Sequence, residues 1–197
     1  MDLRSLVQQL RLIFADPARA ALQFSVERPR PALRFLFLRH GPLLALMVLF
    51  SIAAPLRWIF GGSLSIARDV VGPLVLAGGL LTLAMVFDKI LENARGPRLH
   101  PERTPPRNLA LFLHLPVSAA GAFFLFHFIP GYLMILASGA LAAWISIMET
   151  SRLREITPAR AIAHYLSAAL FLLLPLVGLL FMLNLMRTYS LFRYLYS

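Results

Sequence analysis

Five long apolar runs dominate the sequence. They cover residues 43–60, 70–87, 109–129, 132–148 and 160–186. A helix needs roughly 17–25 mostly apolar residues to cross a hydrocarbon core about 30 Å thick, and each run has or approaches that length. Charged residues make up 14% of the chain and mean hydropathy is +0.74, whereas soluble domains are about 25% charged. The sequence therefore predicts one all-α, polytopic membrane domain at residues 42–187, a bundle of five transmembrane helices.

The placement of the basic residues predicts the orientation of this bundle. Most of the 19 basic residues precede the first run or lie in the gaps after the second and fourth runs. The other side holds Arg57, Arg68, Arg187 and Arg193. By the positive-inside rule the N-terminus is then cytoplasmic, and five crossings put the C-terminus outside. The basic excess thus indicates contact with anionic lipid headgroups and not with nucleic acid.

The first 41 residues predict a cytoplasmic leader with an amphipathic helix. Arg4 and Arg11 lie opposite a face of apolar residues spaced as in a helix. That face consists of Leu3, Leu6, Val7, Leu10, Ile13 and Phe14. Such a helix can lie flat in the headgroup layer or pack against the protein's own cytoplasmic loops. Asp16-Pro17 is a helix-start signal and predicts a second helix near residues 17–26.

Local signals predict where several spans begin and end. Arg57 and Trp58 indicate an outer interface after the first span, and a proline-broken linker follows the second span at residues 93–108. Pro130-Gly131 predicts a tight turn between the third and fourth spans. Thr157-Pro158 predicts the start of the fifth helix, and residues 188–197 form an outer aromatic tail.

Two pairs of charged residues lie at predicted span ends. Asp88 and Glu92 are one turn apart, so they can bind a cation, act as an acid/base pair, or form a solvated helix end near Lys89. Glu149 and Arg152 have the spacing of an ion pair at the interface. All four residues are candidate functional positions.

His114 and His127 lie thirteen positions apart in the third span. On a regular helix they face different directions and lie about 20 Å apart, which excludes a shared metal. Packed or interfacial histidines are favoured over a proton relay, and His114 remains a candidate functional position. The chain has no cysteine, which excludes thiolate chemistry. We expect no catalytic, cofactor-binding or metal-binding residue, since signatures for nucleotides, zinc hydrolysis or serine nucleophiles are missing.

A stripe of small residues follows one face of the fourth span. Small side chains let another helix approach closely, and packing drives helix association in lipid. The candidate packing positions are Ser138, Gly139, Ala142, Ala143, Trp144 and Ser146. Whether this stripe meets its own bundle or a second copy is left open by the sequence.

Residues 116–175 resemble the bacterial branch of the Yip family, five-span membrane proteins named for eukaryotic members that bind Rab-type GTPases. The matching positions are Pro116, Ile129-Pro130, Trp144, the basic loop Arg152 to Arg154, and Arg160-Ala161. The resemblance implies a five-helix membrane fold and supplies no catalytic residue. The chain departs from the family at Phe112 and His114, where a tyrosine is common, and it lacks the long leader of eukaryotic members. The GTPase-binding role therefore does not carry over.

These features together predict a non-enzymatic scaffold or accessory protein that organises lipids, a membrane-protein partner or further copies of itself. One alternative is a small transporter or channel subunit, although five crossings disfavour an inverted repeat. The other alternative is an intramembrane lipid-modifying enzyme that uses Asp88, Glu92 and His114. Arginine supplies all but one of the basic residues, which is typical of a GC-rich bacterial genome and predicts the bacterial inner membrane.

Overall fold

The computed structural model describes residues 3–26, 31–53, 65–94 and 108–195, and the regular structure in these ranges is helical. Two short helices come first, and two pairs of long helices flank a broken segment. In chain order the elements are α1 (Leu3–Ala15), α2 (Pro17–Val26), α3 (Ala32–Ala53), α4 (Ala67–Asn93), the broken segment (Leu109–Leu125) with α5 (Leu109–Leu113), α6 (Leu115–Ala119) and a 3₁₀ helix (Ala120–Leu125), α7 (Phe128–Arg154) and α8 (Pro158–Leu195).

Within the described residues, four helices are long and apolar enough to cross a membrane. They are α3, α4, α7 and the part Pro158–Pro175 of α8. The prediction of an all-helical chain with membrane-length helices is therefore confirmed. The broken segment is apolar but has at most 17 residues, which is shorter than these four helices.

The first membrane-length helix begins earlier than predicted. α3 starts at Ala32, so residues 32–41 of the predicted cytoplasmic leader are part of this helix. Within it, Arg39 and His40 are buried. The predicted interface at Arg57 and Trp58 lies outside the described residues, as do residues 95–107 of the linker predicted at residues 93–108.

A widened π turn precedes Gly-Pro in both α3 and α4. The two π turns are Leu36–His40, before Gly41-Pro42, and Ala67–Val71, before Gly72-Pro73. Proline has no backbone N–H, and its ring clashes with the carbonyl four residues back, so the helix opens locally instead of ending. In α4 the Gly72 N–H accordingly bonds the carbonyl of Ala67, five residues back.

The broken segment occupies the centre of the bundle. It contacts α3, α4 and α7, and every residue from Asn108 to Ser118 is buried. The helix breaks at His114, whose φ of −87° and ψ of 6° are not helical. Pro116 follows at the start of α6, where it cannot donate the N–H that a continuous helix requires. The third predicted span is therefore not one regular helix.

The turn after the broken segment lies at Phe126 and His127, so the hairpin predicted at Pro130-Gly131 is wrong. α7 begins at Phe128, and Pro130 is its third residue. Proline is tolerated there, because the first N–H groups of a helix have no partner within the helix. The side chain of His127 caps the helix, accepting a hydrogen bond from Ile129 N at 3.3 Å.

The last helix begins as predicted and extends further than predicted. Thr157 Oγ1 accepts a hydrogen bond from Arg160 N at 3.4 Å, and α8 starts at Pro158. The helix includes Pro175 and continues to Leu195, so it has 38 residues and is roughly 57 Å long. The predicted aromatic tail is therefore helical as far as Leu195.

Five chain segments meet at one end of the bundle, which we name the basic end. They are α1, α2, the ends of α4 and α7, and the start of the broken segment. Phe24 stacks on Phe112 with ring centroids 4.4 Å apart. Arg154 Nη1 donates to the carbonyl of Leu91 at 2.5 Å. The opposite end contains the start of α4 and the turn before α7.

Candidate functional site

Asp88 joins α4 to the start of the broken segment. Its Oδ1 accepts a hydrogen bond from Ala110 N at 3.1 Å, and its Oδ2 accepts one from Leu111 N at 3.2 Å. These N–H groups belong to the first turn of α5, which cannot bond them internally. Glu92 instead accepts a hydrogen bond from Lys89 Nζ at 2.9 Å. The two carboxylates therefore bind different partners.

His40 is a buried residue that the sequence placed in the basic leader. Its Nε2 lies 3.1 Å from the carbonyl oxygen of Leu111, and its Nδ1 lies 2.8 Å from Ser118 Oγ. Since a carbonyl can only accept, Nε2 carries a proton, and Nδ1 is positioned to accept the hydroxyl proton of Ser118. Spacing along the sequence gave no sign of these contacts, because they join residues 71 and 78 positions apart.

His114 connects the broken segment to α8. Its Nδ1 donates to the carbonyl of Ala110 at 2.7 Å, so its Nε2 can accept from the hydroxyl of Tyr165, 3.4 Å away. The ring of Tyr165 packs edge-on against Phe87, with centroids 5.0 Å apart. His127 lies at the other end of the broken segment, where it caps α7. The two histidines thus have separate roles.

These contacts form one central polar cluster, which consists of His40, Asp88, His114, Ser118 and Tyr165. Three of these side chains bond the backbone N–H and carbonyl groups of residues 110 and 111, whereas Ser118 and Tyr165 bond the two imidazoles. Asp88 accepts from both N–H groups, while His114 and His40 donate to the two carbonyls. Within the described ranges no three His, Asp or Glu side chains form a metal-binding group. The cluster holds the first turn of the broken segment from three neighbouring helices.

A second polar cluster fastens the opposite end of the bundle. The hydroxyl of Tyr132 donates to the carbonyl of Arg68 at 2.7 Å, and Ser51 donates to the carbonyl of Asp69. The π turn before Pro73 releases both carbonyls from their usual partners in α4. Asp69 is fully buried and pairs with Arg68 at 2.8 Å. This cluster connects α3, α4 and α7.

The small-residue stripe of α7 faces the interior of this chain. Ser138, Ala142 and Ser146 are buried, and Gly139 packs so closely on Leu80 that a Cβ there would lie 2.8 Å from its Cδ1. The neighbouring Ala143 is half-buried. Trp144 is 59% exposed on another side of the helix. The stripe therefore packs within the bundle, while Trp144 lies on its outer surface.

Glu149 and Arg152 lie together near the basic end. Glu149 Oε2 is 3.3 Å from Arg152 Nη2, and Arg152 Nη2 also lies 3.5 Å from the carbonyl of Ala18 in α2. The glutamate is buried, whereas half of the arginine side chain is exposed. The pair thus lies where the interior of the bundle reaches its surface.

Comparison with protein-family models, curated proteins and solved structures found no match for the chain. The likeness to the Yip family therefore rests on the pattern of residues 116–175. Function has to be argued from the contacts within the bundle and from its surface.

Proposed function

We infer that the chain is a non-enzymatic membrane scaffold or accessory protein of the Yip type, which organises lipids or partner proteins from its basic end. The central polar cluster carries this proposal. Polar groups inside a membrane are costly and usually mark a functional site, and they also connect helices through hydrogen bonds. Asp88, His40 and His114 use their hydrogen-bonding groups on backbone atoms of the broken segment. Hydrogen bonds to the backbone fit a structural connection between helices.

The proposal includes five membrane crossings, with the broken segment as the third. Its 17 residues combine α-helix with six residues of 3₁₀ helix, which rises about 2.0 Å per residue, so its length is roughly 28 Å. Irregular backbone is tolerated at membrane depth where it is surrounded by protein. The burial of the segment from Asn108 to Ser118 meets that condition. The N-terminus is then cytoplasmic and the C-terminus periplasmic.

The exposed surface of α1 supports contact with lipid headgroups. Leu6 and Ile13 are buried in the protein core, whereas Val7 and Phe14 are more than half exposed. Arg4 and Arg11 are also exposed. The sequence left open whether this helix lies in the headgroup layer or packs against the protein. Its buried flank packs against the protein, and its exposed flank is free to contact the headgroup layer. A basic and apolar flank of this kind binds anionic membrane surfaces.

A small transporter is the second candidate function, and the break at His114 favours it. Discontinuous helices near the bilayer midplane form the substrate sites of many transporters. Here the buried imidazoles of His40 and His114 lie beside such a break. The scaffold proposal remains first because each imidazole binds backbone and hydroxyl groups of the same chain.

Two measurements on the full chain separate these functions. Affinity purification from native membranes in mild detergent is expected to recover a stable protein partner or a defined set of anionic lipids. Purified protein in liposomes is expected to give no saturable solute flux. Robust unaided transport would replace the scaffold proposal by the transporter if it were lost on His40→Phe and retained on Glu92→Gln, which changes a carboxylate that pairs with Lys89.

A further inference from the structure

Three buried polar side chains share one face of α7 near the basic end. Ser146, Glu149 and Thr150 are at positions i, i+3 and i+4, and their exposed fractions are 0%, 8% and 1%. Within the part of the chain that the structure describes, Ser146 Oγ and Thr150 Oγ1 have no hydrogen-bond partner, and Glu149 Oε2 makes no hydrogen bond beside its ion pair with Arg152. Buried polar atoms in proteins are nearly always hydrogen-bonded. This face therefore points to a ligand.

Other hydroxyls on the long helices are satisfied by their own backbone. Thr82 donates to the carbonyl of Gly78 at 2.7 Å, and Ser167 donates to the carbonyl of Ala163 at 2.8 Å. Both of these residues are exposed, so water is a further partner for them. Ser146 and Thr150 are more deeply buried, yet their oxygens make no such bond. These two oxygens are therefore positioned to accept from another molecule.

The buried part of this face carries a carboxylate, and its exposed edge carries a guanidinium. Glu149 is buried, and the carboxylate of Asp16 in the turn before α2 interacts with it electrostatically. The cation of Arg152 lies 3.3 Å from Glu149 Oε2, and half of its side chain is exposed. Asp16 is itself exposed, so Glu149 is the buried carboxylate of this face. The two carboxylates outnumber the one guanidinium, which favours a cationic group beside Glu149. The exposed arginine favours an anionic group at the rim.

We propose that Ser146, Glu149 and Thr150 bind the primary ammonium of an ethanolamine phospholipid, whose phosphate pairs with Arg152. The three N–H donors of an ammonium match the three oxygens, of which the carboxylate can only accept. Trp144 lies on the exposed side of the same helix, the side that would face the acyl chains of such a lipid. This inference rests on the proposed function, because it names one lipid class that the scaffold would organise.

Native mass spectrometry of the purified full chain tests the site. The protein is mixed with equal amounts of phosphatidylethanolamine, phosphatidylcholine and phosphatidylglycerol. Phosphatidylethanolamine should be retained at least about tenfold better than phosphatidylcholine, whose ammonium has no N–H, since a hydrogen bond to a charged group is typically worth a factor of that size. Glu149→Gln and Thr150→Val should each remove this preference. Glu92→Gln, which changes a half-buried carboxylate that pairs with Lys89 at the same end, should leave it intact.

Equal retention of the two zwitterionic lipids would overturn the site, as would an unchanged preference in Glu149→Gln. Thr150→Val is nearly isosteric, so it keeps the test valid if Glu149→Gln does not fold. Free ethanolamine is added as a further arm. If it displaces the lipid at equal concentration, the face binds a small amine and the lipid assignment fails. If phosphatidylglycerol stays bound to wild type and to both variants while the ethanolamine preference is missing, the scaffold proposal stands without this site.

Discussion

Removing the carboxylate of Asp88 should strongly destabilise the bundle. In Asp88→Ala the amides of Ala110 and Leu111 lose their acceptors, and both residues are fully buried. A buried N–H without a partner costs about 1–3 kcal/mol, so the loss of two acceptors should lower the free energy of unfolding by about 2–6 kcal/mol. At the lower limit the folding equilibrium constant falls roughly 30-fold. Asp88→Asn should have a smaller effect, since it retains one acceptor oxygen.

Unfolding by sodium dodecyl sulfate in mixed micelles, followed by near-ultraviolet circular dichroism and tryptophan fluorescence, measures this loss. Glu92→Gln is the matched control, because it removes a carboxylate one turn away that pairs with the exposed Lys89. Surface pairs of this kind contribute at most about 1 kcal/mol. Equal loss of stability in Asp88→Ala and Glu92→Gln would contradict the claim that Asp88 holds the first turn of the broken segment. If Asp88→Asn instead abolished a lipid turnover catalysed by wild type, the enzyme alternative would gain support.

The same titration tests three glycines. Gly121→Ala places a Cβ against the side chain of Met47 and should lower the free energy of unfolding by about 1–3 kcal/mol. Gly79→Ala meets no atom within 4 Å and should raise the free energy of unfolding by about 0.5–1 kcal/mol. Equal effects of the two substitutions would refute the packing of Gly121 on Met47. Gly72→Ala places a Cβ against the hydroxyl of Tyr132, so its cost should shrink in a Tyr132→Phe background, and strict additivity would contradict this contact.

The sequence predicted the elements that depend on local chemistry. Asp16-Pro17 predicted a second helix near residues 17–26, and α2 spans Pro17–Val26 with Asp16 Oδ1 accepting from Arg19 N at 2.9 Å. Thr157-Pro158 predicted the start of α8 for the same reason. The membrane-length helices followed from apolar length, which bilayer thickness fixes.

The sequence failed where tertiary contacts decide the backbone. Pro130 ends no helix, because it occupies a first turn in which its missing N–H is not needed. The apolar run at residues 109–129 is identified by its length and hydropathy. Neither property reveals the break at His114, because neither reflects the missing N–H of Pro116. Ser118, which bonds His40, and Ser51, which bonds the carbonyl of Asp69, lie in other segments of the bundle. Periodicity along one helix cannot identify such partners.

Cysteine accessibility tests most directly whether the broken segment crosses the membrane. The chain has no cysteine, so single substitutions report cleanly. Ala94 and Phe126 are both exposed and flank the segment on its two sides. With a membrane-impermeant maleimide on intact bacterial cells, Phe126→Cys should react at once, and Ala94→Cys should react only after the membrane is disrupted. If both positions reacted from the same side, the broken segment would not cross the membrane. If only Ala94→Cys reacted on intact cells, the proposed orientation would be wrong.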